Sequence, residues 1–248
     1  MGPPSPAAAS LLRDLARVQR LHIERAANPI LAGGLDRLAR WQSLRLQRTY
    51  ADLAAQPRYL EAIDFFRSDL YGPGDFSRRD EDLARVVPLL VRMLPASMLE
   101  ALAQAVELNA LSRELDRVVI SRLPRADGIS VSDYCRAYRR AGNYPARNRQ
   151  IALIAEVGRT LDRHVGKKWV RAGLAMMRGP ARLAGLQSLQ DLLERGVAAF
   201  ANMGGADEFL ATIQARETAI HDAIIDGSNE PFPDPFLAAA VAAPVPPA

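Results

Sequence analysis

Residues 58–94 read RYLEAIDFFRSDLYGPGDFSRRDEDLARVVPLLVRML, and this stretch decides the fold class. Tyr59, Ile63, Phe66 and Leu70 recur at i, i+4, i+7 and i+11, the apolar row of a helix rather than the alternation of a strand. Phe65 sits about 100° round from Phe66, so the pair widens the apolar face enough to meet two neighbouring helices. Gly72-Pro73-Gly74 then stops the helix, since proline lacks an amide donor and glycine has no propensity to continue. Ser77 reads as the cap of the next helix, with Asp80 three residues on in a shortened capping box. Leu83, Val87, Leu90 and Leu94 form the face of that helix, and Pro88 inside it predicts a kink or a fresh start.

The same grammar extends in both directions. Ser10 is a plausible cap for a first helix carrying Leu11, Leu15 and Val18, which Asn28-Pro29 ends. After Gly33-Gly34 a second helix carries Leu35, Leu38, Gln42, Leu46, Tyr50 and Leu53 on one face. Downstream, Ser97 and Glu100 make a capping box that opens a long helix from Met98 to Arg122, with apolar rows on more than one side, as a central helix would have. Among its face positions are Asn109, Arg113 and Asp116. Asp133–Arg140, Asn148–Val165, Trp169–Arg178, Leu183–Met203 and Asp207–Ile225 complete the series, with Gly179-Pro180 closing the third of these five. No window alternates with period two between hairpin turns. The expected fold is therefore all-α: a single bundle of roughly eight to ten helices over residues 10–226. Residues 1–9 are expected to fray, and the Pro/Ala-rich residues 227–248, including PFPDPF, to be extended or disordered.

Composition bounds the function. Of 248 residues 49% are hydrophobic and 24% charged, enough apolar material to bury a core and too few charges for disorder. All but two of the 32 basic residues are arginine, yet 28 acids balance them and no block of consecutive cations marks a nucleic-acid patch, which argues against that partner. Cys135 is the only cysteine, so no disulfide can form within the chain and a reducing compartment is expected. MGPPSPAAAS lacks the basic and apolar segments of a signal peptide, and no apolar run approaches the roughly 18 residues of a membrane span. The expected setting is the cytoplasm, without a membrane partner.

Phe65–Tyr71, FFRSDLY, followed by GPGDFSRRDEDLARVVPLLVRMLP, resembles the bacterial FFLEELY-motif family. Phe65, Phe66, Leu70 and Tyr71 match its heptad, Asp69 replaces a glutamate conservatively, and Arg67 and Ser68 depart from it. The likeness extends through GPGDFSRRD to MGGADEFLATIQARETAI near the end of the chain. It implies a helical protein with no established activity, and the departures at 67 and 68 argue against an acidic pair doing chemistry there.

Side chains that could carry chemistry are few. Asp75, Arg78, Arg79, Asp80, Glu81, Asp82 and Arg85 crowd a helix start beside Tyr71. The arginines could clamp an anion with help from the helix dipole. The plainer account is an ion network in which Asp80–Asp82 satisfy the dipole and Arg85 pairs one turn back with Glu81 or Asp82. Tyr71, Asp75, Arg78, Arg79, Asp80 and Arg85 are the candidate ligand-binding residues. Glu217 and His221 stand at i, i+4, a spacing that can present two metal ligands, but no Glu-x-x-His motif accompanies them, and no Cys-x-x-Cys-His marks a haem. Cys135 has only Arg136 beside it and reads as a small buried hydrophobe. Met176-Met177 reads as core filling, with an adaptable groove as the alternative. No catalytic residue, metal site or cofactor is expected. The favoured role is protein interaction or scaffolding, with a protein partner or a second copy. The alternative is a ligand-binding helical enzyme with a pocket near Tyr71 and Arg78–Arg85, joined by Glu217 and His221. Arginine-mediated nucleic-acid binding is a weaker third.

Overall fold

In a computed structural model, residues 5–70, 77–93, 96–124 and 127–236 are described, and they hold eleven α-helices and no strand. In chain order these are α1 (Pro6–Ala27), α2 (Pro29–Thr49), the single-turn α3 (Ala51–Ala54) and α4 (Pro57–Phe65). There follow α5 (Ser77–Met93), α6 (Ala96–Ile120), α7 (Val131–Ala141) and α8 (Tyr144–Val165). The last three are α9 (Lys168–Leu183), α10 (Gln187–Met203) and α11 (Asp207–Ile225). A π-turn over Phe66–Leu70 continues α4. Among the described residues no helix is long and apolar enough to cross a membrane.

The long helix α6 is central, as its several apolar rows predict: α1, α2, α7 and α8 all pack against it. Ala8, Leu11 and Leu15 of α1 meet Val87 of α5 and Leu99, Ala103 and Val106 of α6 in one cluster. A larger cluster joins Tyr59 and Ile63 of α4 to Phe200 of α10 and to Phe209 and Leu210 of α11. Here the Phe65-Phe66 pair does meet two helices. Phe65 lies over Gly196 of α10, where a Cβ would stand 3.0 Å from its ring, and Phe66 stacks near Phe200 and Phe209 at 6.2 and 5.9 Å between centroids.

At α1, α2 and α9 the boundaries differ from the sequence reading for local reasons. α1 begins at Pro6, because Ser5 Oγ accepts the Ala8 amide and Pro6 is preset for the first turn. α2 begins at Pro29 and runs through Gly33-Gly34, because Asn28 Oδ1 accepts the Leu31 amide and Gly34 is buried, so capping and packing outweigh a propensity cost of about 1 kcal/mol per glycine. α9 passes through Gly179-Pro180 and stops at Leu183, ahead of Gly185 at φ 70°. Pro180 sits in the last turn, so its missing donor and its ring's crowding of the carbonyl one turn back disturb only the end of the helix. α5 is one helix, with no fresh start at Pro88. After α11, the PFPDPF segment forms no helix up to Phe236, but Phe232 anchors it to the core while Phe236 is exposed. Phe232 is 7% exposed and packs edge-on to Trp41 and Tyr134 at 6.0 and 6.2 Å. Residues 237–248 lie outside the described residues.

Candidate functional site

Of the six candidate ligand-binding residues, Tyr71 and Asp75 lie outside the described residues, and Arg78 and Arg79 stand in the first turn of α5. Asp80 points inward rather than to solvent. Its carboxylate meets His22 Nε2 of α1 at 2.8 Å and Arg113 Nη2 of α6 at 3.1 Å, so three helices are tied through one acid. Arg85 pairs with Asp82 one turn back, the i, i+3 geometry of a helix-start ion network.

A different constellation gathers where α2, α6, α8, α11 and the π-turn converge. Arg45 of α2 is 9% exposed and makes a bidentate pair with Glu217 of α11, at 2.5 and 2.7 Å. Tyr50 donates its hydroxyl to the same carboxylate at 2.5 Å, and the Arg45 guanidinium lies 5.1 Å from the centre of the Phe232 ring. Burial would raise the Glu217 carboxyl, but the charge and hydrogen bonds of Arg45 and Tyr50 outweigh it and hold the group below the usual carboxylate range. Glu217 and its neighbour one turn on therefore do different work. His221 is 2% exposed, and its Nδ1 meets the Tyr138 hydroxyl at 2.7 Å instead of facing Glu217 across a shared ligand. Among the described residues no three His, Cys, Asp or Glu side chains converge as a metal set.

Beside the Arg45–Glu217 pair is a cavity of about 90 Å³, lined by both of these residues and by Asp116, Tyr134, Arg147 and Gln150. Its apolar walls come from Ile63 and Phe66 on one side and from Ile151, Ile154 and Ile213 on the other. At ~10–15 Å³ for each water-sized probe position, that space suits a ligand of several heavy atoms rather than a single water. Exposed Gln47 and half-exposed Arg67 also line it and mark the side open to solvent.

Two charges on this wall make no direct ion pair among the described residues. Arg147 of α8 is 6% exposed, yet among the described residues it pairs with no acid. Its Nη1 donates to the neutral amide oxygen of Gln150 at 3.0 Å, its plane covers the Tyr138 ring at 4.5 Å, and Nη2 has no hydrogen-bond partner. Asp116 of α6 accepts one hydrogen bond, from Gln42 at 2.8 Å. Burial pushes its carboxyl above the usual range, and the charges of Arg147 and Arg113 offset this only in part. A buried cation and a destabilised carboxylate thus face one partly apolar space, close enough to feel each other's charge but, among the described residues, without a direct ion-pair contact.

The sequence offered a weak signal for this site. Arg45 is in phase with Leu38 and Trp41, and Arg147 with Ile151 and Ile154, so each is a charge on an apolar stripe. Gln42 and Asp116 were visible in such rows, but which rows face each other depends on helix packing that periodicity does not encode. Other expectations resolve simply. Cys135 is fully buried, and burial pushes its thiol up to about 11. Met176 and Met177 do not fill the core: they are 77% and 51% exposed, because α9 turns Val170 and Leu174 inward instead.

His221 gives a pH dependence. Burial lowers its pKa below 6.5, against the opposing charge of Asp222, so the folded ring stays neutral where the unfolded one takes a proton. Its contribution is fully present above pH ~6.5 and is lost as pH falls through that value toward the folded pKa. Unfolding free energy measured in urea is expected to decline with acidification by at most about 1.4 kcal/mol per pH unit from this group. His221→Gln is expected to flatten that slope; an unchanged slope would show that the ring titrates freely in the fold.

A family model described as a domain of unknown function (DUF8198) matches residues 21–231 of the chain. No curated protein and no solved structure matches it.

Proposed function

The chain belongs to that family of unknown function, and from the cavity its helices enclose we propose that it binds a small amphipathic acid in the core. The observation that carries this reading is the juxtaposition of Arg147 and Asp116, opposite charges with no direct ion-pair contact among the described residues, on the wall of one cavity whose apolar surface comes from Leu46, Ile63, Phe66, Ile151, Ile154 and Ile213. A ligand carboxylate complements the guanidinium, whose planar fork suits that group, and an adjacent amino or hydroxyl group complements Asp116. An apolar side chain fills the space between Ile63, Phe66 and Ile213. The chemical class is an α-amino or α-hydroxy acid with an aliphatic or aromatic side chain.

The heptad that resembles the FFLEELY motif contributes Phe66 and Arg67 to the same wall, which gives that likeness a part in ligand contact. The π-turn there supports this, since such turns recur where a helix is reshaped around a functional site. The free, buried Cys135 supports the reducing, cytoplasmic setting.

Thermal unfolding in millimolar leucine, its α-hydroxy analogue and 4-methylpentanoate, which lacks the α-substituent, tests the proposal. The expected result is a rise in Tm with the first two, a smaller rise with the third, and none for Arg147→Met. Asp116→Asn is expected to remove the preference between leucine and 4-methylpentanoate. No rise for the wild-type protein with any of these acids, or with phenylalanine, would overturn it.

A further inference from the structure

α9 carries two apolar rows, and only one of them is buried. Val170, Leu174 and Ala181 turn toward the core, whereas Ala172, Met176, Gly179 and Leu183 recur at i, i+4, i+7 and i+11 on the opposite face, all exposed. Met176 is 77% and Leu183 91% exposed, among the most exposed large apolar side chains of the described residues. A solvent-facing row on a peripheral helix ordinarily carries charge. Here the charges form a separate stripe alongside: Arg171, Arg178 and Arg182 at i, i+7 and i+11. Arg178 reaches Glu194 of α10, while Arg171 and Arg182 make no ion pair among the described residues. From Arg163 to Gln190 the sequence has six lysines and arginines, including both lysines of the chain, and no acid.

We infer that this outer face of α9 docks on an anionic phospholipid surface. An exposed aliphatic row edged by arginines is the arrangement by which a helix lies in the interface plane, with the row among the acyl chains and the cations at the phosphates. Such a helix rests on the bilayer without crossing it. Two other occupants fit less well. A second copy would bring the same acid-free basic segment against itself, and a nucleic acid has no use for the Met176–Leu183 row. The inference goes beyond the core pocket and stands independently of it.

Co-sedimentation of the full chain with phosphatidylglycerol–phosphatidylcholine vesicles, and with phosphatidylcholine alone, tests it. Binding is expected with the anionic vesicles, falling steeply with salt, and little with the neutral ones. Because each cation at such a surface contributes roughly fivefold, Arg171→Gln with Arg182→Gln is expected to weaken binding on the order of tenfold or more. Met176→Asp with Leu183→Asp is expected to weaken it comparably, without lowering Tm because both sites face solvent. Equal binding to neutral vesicles, binding unchanged in either variant, or no vesicle binding would overturn the inference. So would duplex DNA binding that needs the arginines but not Met176, or concentration-dependent dimers that the aspartates dissolve in a protein that ignores vesicles.

Discussion

Glu217→Leu is expected to lower the unfolding free energy by about 3–5 kcal/mol, the range for leaving one member of a buried ion pair uncompensated. Arg45 is the group left behind. It is 9% exposed, it spends both terminal nitrogens on Glu217, and the nearest alternative is the face of Phe232, a weak substitute for a carboxylate. Tyr50 loses its acceptor in the same substitution. The cost belongs to the unpaired charge and not to the pair as such, so Arg45→Met combined with Glu217→Leu should recover most of it. Urea denaturation of the two single variants and the double variant closes the cycle. A loss below about 1 kcal/mol for Glu217→Leu, the size of an exposed pair, would mean that water reaches the pair freely.

The second large effect lies in the apolar core. Phe209→Ala should cost about 3–5 kcal/mol, because the side chain is fully buried between Tyr59, at 5.2 Å between ring centres, and Phe66, at 5.9 Å, and none of the surrounding helices can close the gap alone. Phe66→Ala should cost clearly less despite removing the same ring, since one side of Phe66 already faces the cavity. Chemical denaturation of the two variants decides the order. Equal losses would mean that the cavity wall at Phe66 is packed as tightly as the core around Phe209.

These effects mark where the sequence was readable and where it was not. The helical class, the central place of α6 and the double reach of Phe65-Phe66 follow from spacing alone, because periodicity reports which residues share a face. Helix ends were missed where a single hydrogen bond or a buried contact outweighed local propensity, as at Asn28 ahead of Gly33-Gly34 and in α9 beyond Pro180. The site was only half legible. Glu217 stood out as a possible ligand beside His221, but its partner Arg45 is 172 residues away in sequence, and nothing in the local pattern of either residue names the other. Asp80 drew notice for its charged neighbours, yet its bonds run to His22 and Arg113 on other helices. Arg147 gave no motif at all, only a charge in phase with Ile151 and Ile154. Functional charge in a helical core shows as a breach of amphipathic pattern, and its meaning appears only when the facing row is known.

The central claim, that the core cavity takes a small acid through Arg147, is tested most directly by a nuclear magnetic resonance titration. The protein carries labelled isoleucine δ1 methyl groups, and leucine is compared with 4-methylpentanoate. Ile63, Ile151, Ile154 and Ile213 line the cavity, whereas Ile23 and Ile30 are exposed on α1 and α2 and serve as internal controls. The predicted result is a saturable shift of the cavity methyls, silent controls, and loss of the shift in Arg147→Met. Cavity methyls that stay unmoved at millimolar ligand, or that move equally in Arg147→Met, would contradict it.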